Sequence, residues 1–286
     1  MSVIKAIEFP NREFKSNKEL HAELKKYKTT LISLKEKTPW KDNHLKSFHY
    51  PKSIDAVKNM GVEDGYIYAV INTTKVLDSH NDVHLDGIWN KSVLEQQGKI
   101  FYVADHDLSV KSVIAFPEDV EMMVKEVNFK DLGANYEGKT QALIFKILKE
   151  NIKLDIAKTI IEEKRKIENS VRMRYVKIDL AINTNEKEFE QEKAVWDNVI
   201  GLIANKETAI ERGYFWAVSE AAIEDEGSMV LRGSNNVTPL ESSKEIEPQQ
   251  TTPKVEPVST QQEGENPSND TQPKDGKGSF IYYNIV

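Results

Sequence analysis

Cysteine is absent from all 286 residues. That excludes a disulfide framework, a thiolate zinc site, an iron–sulfur cluster and a cysteine nucleophile. Long hydrophobic runs are missing too. No stretch approaches the roughly 18 apolar residues of a membrane-spanning helix, and the opening MSVIKAIEFPNREFKSN lacks the apolar core of a secretion signal. Positive charge is not in excess either: 39 Lys+Arg stand against 46 Asp+Glu, a net charge of −7. Neutralising phosphates requires a basic surface, so nucleic acid is not an expected partner. The expectation is a soluble protein of a reducing compartment that works without membrane, nucleic acid, metal or cofactor.

Apolar side chains make up only 39 % of the chain, and the shortage is local. The 39 residues from Glu241 to Ser279 hold Ile246, Val255 and Val258 as their only apolar side chains, with five prolines, no aromatic residue and a net charge of −4. Such a segment cannot bury enough surface to offset its chain entropy and reads as a disordered linker. The remaining residues are roughly 44 % apolar, ordinary for a globular domain. The linker leads to the apolar peptide FIYYNIV, residues 280–286. This peptide is either an inert terminus or a docking strand for a partner's sheet edge.

The period of the apolar residues sets the rest of the organisation. After a short strand at Val3–Phe9, Ser16 or Asn17 caps a helix whose stripe is Leu20, Leu24, Tyr27, Leu31 and Leu34. Lys41 to Lys58 has no clear period and reads as a connection. From Gly65 the run GYIYAVINTTKVLD is strand-like, followed by strand candidates at Lys99–Ala104, Val110–Phe116, Met122–Val127, Gln141–Ile147, Val171–Ile182 and Tyr214–Ile223. Two helical patterns interrupt them, one on Ile152, Ile156, Ile160, Ile161 and Ile167. The other, on Phe189, Trp196, Val199, Ile200 and Ile203, runs towards a stop at Gly213. Strands predominate and helices do not alternate with them one for one. The expected fold class is therefore α+β, built on a mainly antiparallel β-barrel or sheet with inserted helices.

Three polar constellations lie at the ends of strand candidates. In Asp78-Ser79-His80-Asn81-Asp82-Val83-His84, acidic and imidazole side chains alternate, so an extended chain would turn two Asp and two His to one face, as a metal-ligand array does. A polar turn leaving a strand has the same composition. His106 directly follows the apolar run of FYVADHDL, and Ser170 opens a strand in ENSVRMRYVKIDLAIN. With Glu226 in EDEGSMV, a serine, a histidine and a carboxylate each occupy a strand boundary, the inventory of a triad recognised by spatial role and not by chain order.

The blocks VLDSHNDVHLDGIWNKSV, ADHDL, NSVRMRYVKIDLAIN and YFWAVSEAAIEDEGSMVLRGSNNVTP resemble the prohead serine proteases of tailed bacteriophages, capsid-maturation enzymes similar in fold to the herpesvirus assembly proteases. The resemblance covers roughly residues 8–240, with Asp78, Asp82, Gly87 and Trp89 matching the family's opening block. It places the family's base on His106, followed by Asp107, and its nucleophile on Ser170. The family's Glu-x-Ser-x-Val strand falls on Glu226, Ser228 and Val230, which makes Glu226 the third triad member and leaves Glu220 as its competitor. The family carries glycine two residues after the nucleophile, where this chain has Arg172. An arginine there either crowds the site or, with Arg174, contributes to oxyanion or substrate binding.

The resemblance implies a serine endopeptidase of the viral prohead interior, assembled in the host cytoplasm. It would cut the scaffolding protein or the major capsid protein precursor, and itself within the linker, either alone or as a homo-oligomer. Residues 1–60 then form an N-terminal helical segment with its connection, 61–240 the protease domain, 241–279 the linker and 280–286 the terminal peptide. The alternatives are an inactive homologue serving as internal scaffold, and a metal-dependent hydrolase using Asp78, His80, Asp82 and His84.

Overall fold

The computed structural model describes residues 3–37 and 63–242. The connection at Lys41–Lys58, most of the linker and the FIYYNIV peptide lie outside the described residues. Within them the chain forms an α+β domain of six α-helices and two sheets, and no barrel closes. The expected α+β class is observed, while the barrel form of it is not among the described residues.

The N-terminal stripe is split into α1 (Asn17–Lys26) and α2 (Lys28–Lys37), with Tyr27 at the joint. Ser16 caps α1 by accepting the Glu19 N–H, and Glu19 reaches back to the Lys15 N–H, two otherwise orphaned donors at the helix start. Leu20, Leu24 and Leu31 are buried, but Tyr27 in the middle of the stripe and Leu34 at its far end are exposed. Breaking the helix at Tyr27 turns the second half of the stripe off its line. The expected strand at Val3–Phe9 reduces to one bridge between Ile4 and Phe14.

The first sheet has the order β5-β6-β1-β9 and is antiparallel throughout, from β1 (Tyr66–Thr73), β5 (Glu121–Asn128), β6 (Lys139–Leu148) and β9 (Leu240–Ser242). Both of its faces are covered, so β1 reads as a continuous apolar run without alternation. Ile67, Ala69 and Ile71 enter the main core, and Tyr68 and Val70 pack with Phe129 and Ile144 on the other side. β9 carries regular structure to Ser242, two residues into the segment expected to be linker.

The second sheet is organised by the 17-residue β8 (Tyr214–Val230). One edge of β8 pairs antiparallel with β7 (Glu168–Ile182). The other edge takes two parallel strands in succession, β2 (Asp82–His84) on its first half and β3 (Phe101–Ala104) on its second. β4 (Val113–Ala115) closes that side antiparallel to β3. The apolar run at Val110–Phe116 therefore splits into a 3₁₀ turn and a three-residue strand. Helix α3 (Asn90–Gln96) follows β2, α4 (Asp155–Glu162) precedes β7, and α5 (Glu190–Val199) and α6 (Lys206–Arg212) join β7 to β8. Gly213 ends α6 in the left-handed conformation, the stop that the sequence indicated.

Gly227 fixes how closely the two sheets approach beside the site. A Cβ built there would lie 2.5 Å from Phe145 Cε2 and 3.2 Å from Ile71 Cγ2, both fully buried core residues. Gly227→Ala is expected to lower stability by about 1–3 kcal/mol through overpacking, read as a shift in denaturant midpoint at unchanged m-value.

Candidate functional site

β3 delivers His106 to the surface at its C-terminal end. The chain turns there through two consecutive left-handed residues, Asp105 (φ 52°) and His106 (φ 55°). Neither is glycine, so the turn is costly, on the order of 1–3 kcal/mol per residue, and must be held. Asp105 N–H continues the ladder to Met229 O at 2.9 Å, and Asp107 N–H closes a turn on Ala104 O at 3.0 Å. His106 N–H donates to Ser228 Oγ at 2.8 Å, and Ser228 Oγ in turn donates to Val103 O at 3.2 Å. The Asp107 carboxylate is occupied by the hydroxyls of Ser112 and Ser109, which hold it below its ordinary range.

The His106 ring meets a buried acid. Nδ1 lies 2.6 Å from Glu226 Oε1, so Nδ1–H donates to the carboxylate and the ring, one third exposed, presents its other nitrogen outward. Glu226 is fully buried, and its second oxygen has no hydrogen-bond partner among the described residues. A bulge in β8 aims it. Between the pairs Val171↔Gly227 and Met173↔Ile223, β8 advances by more residues than β7, and Asp225 takes φ 63°. Bulges of this kind re-aim side chains beside sites. Glu220 belongs elsewhere on the strand. Its carboxylate binds Lys177 at 2.6 Å, with Lys91 at 3.7 Å, and these two lysines hold it below its ordinary range.

Ser170 lies directly opposite Ser228 in the β7–β8 ladder. Opposed residues of an antiparallel pair share a face, and Glu226, two residues from Ser228, lies on that face as well. Serine, buried carboxylate and histidine are thereby gathered on neighbouring strands around one residue, Ser228. Among the described residues Ser170 Oγ and His106 share no hydrogen bond, a contact that in many enzymes tightens only with substrate bound. Ser170 is half-buried at the lip of a small cleft walled by Ile71 and Asn72 of β1, Val171 and Met173 of β7, and Ser234 and Asn235. The start of β7 is pinned by Asn169, which accepts from Tyr102 Oη at 2.6 Å and donates to Thr238 O. Arg172 and Arg174 both turn onto Glu224, at 3.9 and 3.7 Å, and neither lines this cleft.

The Asp/His alternation after β1 builds an interior polar network. Asp82 is fully buried and binds Lys35 Nζ at 2.6 Å and Tyr175 Oη at 2.7 Å. His84 touches Asn72 Oδ1 at 2.9 Å and Tyr175 Oη at 3.3 Å, and Asp78 accepts the N–H groups of His80 and Asp82. Among the described residues no group of three or more such side chains is placed to share a metal ion. Burial and the Asp82 charge push the Asp78 carboxyl up. Through Asn72 the network reaches the wall of the Ser170 cleft. Lys35 and Asn72 are the members that motif reading missed, while Ser228 enters it only through the Glu-x-Ser-x-Val resemblance.

Burial drives the His84 imidazole down to about 4, against the pull of Asp82 and with Lys35 and His80 adding to the drop. The unfolded chain therefore takes up this proton near pH 6.5 while the native state refuses it until about pH 4. Its contribution to stability is present above pH 6.5 and is lost as pH falls towards 4, about 3 kcal/mol in all. Asp78, shifted upward, works in the opposite sense, gaining native-state stability on protonation. Comparing urea unfolding of the natural chain and His84→Gln from pH 7 to 4 isolates the histidine: the natural chain should lose about 3 kcal/mol more than the variant.

Comparison of the chain with protein-family models, with curated proteins and with solved structures finds no match.

Proposed function

We propose that the protein is a serine endopeptidase in which Ser170 is the nucleophile, His106 the general base and Glu226 the residue that orients the base. One observation carries this reading: a fully buried carboxylate whose single hydrogen bond among the described residues goes to the ring of a surface histidine, one strand from a serine at the lip of a cleft. A buried charge kept for stability alone would be expected to fill both oxygens with donors, because an incompletely paired buried ion is costly. Here the spare cost is accepted where the histidine needs a fixed tautomer and a counter-charge.

In the proposed reaction Ser170 Oγ attacks the scissile carbonyl carbon as its proton passes to His106 Nε2, while Nδ1–H stays on Glu226. The imidazolium then gives that proton to the departing amine. Water repeats the sequence on the acyl-enzyme and restores Ser170. The sequence resemblance supports a finer reading: a prohead-maturation protease, similar in fold to herpesvirus assembly proteases, acting on scaffold and capsid precursor inside the assembling shell and on its own linker.

Two measurements test this. A fluorophosphonate probe should modify the natural chain at Ser170 and leave Ser170→Ala unmodified, and the intact mass of the natural chain should fall with time at neutral pH while that of Ser170→Ala holds. A folded sample that neither reacts nor shortens favours the scaffold reading, for which Arg172 in the place of the family's glycine is the supporting feature.

A further inference from the structure

Glu226 and Ser228 stand two residues apart on one face of β8, and both act on His106. Glu226 holds the ring at Nδ1, and Ser228 holds the backbone, taking the His106 N–H at 2.8 Å and giving its own hydrogen to Val103 O at 3.2 Å. Ser228 is fully buried, and the parallel register sets it beside Val103, two residues before the chain leaves β3. Its hydroxyl thus spans the turn from Val103 to His106, joining a carbonyl and an amide that Ala104 and the left-handed Asp105 separate. On the opposite edge of the strand its Cα partner is Ser170.

We infer that Ser228 is a positioning residue of the site: its hydroxyl locks the strained His106 turn so that the ring meets Glu226 on one side and faces the Ser170 strand on the other. The backbone bonds on either side do not replace it. Asp105 N–H to Met229 O and Asp107 N–H to Ala104 O bracket the turn, but among the described residues only Ser228 reaches the His106 amide. Without the hydroxyl, the left-handed residues have no bond at His106 opposing relaxation to negative φ, a change that swings the imidazole off the carboxylate.

The catalytic half of this inference rests on the protease reading; the geometric half does not, and the experiment reads them separately. The strong Nδ1–H···Glu226 bond should give a far-downfield proton resonance in the natural chain, absent in His106→Ala. Ser228→Ala should broaden or lose that resonance while the remaining amide spectrum and cooperative unfolding stay native-like, and Ser228→Thr, which keeps the hydroxyl, should retain it. On a cleavable substrate Ser228→Ala should lower kcat on the order of 100-fold with KM little changed, the effect of a base displaced by about 1 Å. An unaltered resonance together with an unaltered kcat overturns the inference. Loss of the resonance in a chain whose Ser170 never reacts with the phosphonate keeps Ser228 as the lock on the His106–Glu226 pair and removes the protease reading instead.

Discussion

Replacing Glu226 by glutamine should lower kcat by roughly 1,000- to 10,000-fold without lowering the melting temperature. The two effects separate because they come from different properties of one side chain. The proposed mechanism needs the negative charge: with it, His106 would carry its hydrogen on Nδ1, the other nitrogen would be free to take the Ser170 proton, and the resulting imidazolium would be stabilised. A neutral amide can offer its NH₂ to Nδ1 instead, which moves the imidazole hydrogen to the outward nitrogen and leaves no base facing the serine. Stability, in contrast, gains from the change. Among the described residues the carboxylate is fully buried with one hydrogen bond and one oxygen without a partner, and an amide is far cheaper to desolvate than a carboxylate. Steady-state cleavage and a thermal melt on the same preparations check both halves. Glu220→Gln supplies the contrast, since its carboxylate serves Lys177 and Lys91 and its loss should leave the rate unchanged. A Glu226→Gln enzyme with natural activity would remove the carboxylate from the mechanism.

The parts of the site that sequence revealed and those it hid differ by whether a local pattern encodes them. His106 and Ser170 sit where apolar runs begin or end, so strand boundaries alone drew notice to them. Composition ends the strand candidate at Ile223, because Glu224-Asp225-Glu226-Gly227-Ser228 is polar, and only the family resemblance marks Glu226, Ser228 and Val230 as strand. The strand continues to Val230 since β7 and β3 pair with it on both edges and the bulge absorbs the misfit. Both partners are remote in sequence, so no local reading contains that information. β2 was hidden for a related reason: three residues inside a polar cluster become a strand only through parallel pairing with Trp216–Val218. The alternation of Asp and His there was visible, but its meaning lay in residues from three other elements. Lys35 in particular lies off the apolar stripe expected for the N-terminal helix, yet it turns inward from α2 and is buried.

That inward lysine carries the largest stability effect expected in the molecule. Lys35 Nζ is 2.6 Å from Asp82 Oδ1 and 3.1 Å from His80 O, it lies over the Trp216 ring at 5.7 Å, and the two charged side chains are 1 % and 0 % exposed. Replacing it by methionine keeps the volume and removes the charge. Asp82 then remains buried with Tyr175 Oη but no counter-ion, and breaking a buried pair from one side costs about 3–5 kcal/mol. For a domain of this size that corresponds to a fall in melting temperature of roughly 10 °C. Asp82→Asn alone should cost a comparable amount, because it strands the ammonium instead. The double variant Lys35→Met/Asp82→Asn should recover most of the loss, since the expense lies in the orphaned charge and not in the absence of the pair. Urea unfolding of the four proteins closes the cycle. Purely additive losses would mean that the two side chains do not act as a pair, and that what joins α2 to the β2–β7 layer is the apolar packing of Leu31 and its neighbours. A recovered double variant would instead locate the attachment of the N-terminal helices in this one ion pair, three hydrogen bonds from the Asn72 wall of the Ser170 cleft by way of Tyr175 and His84.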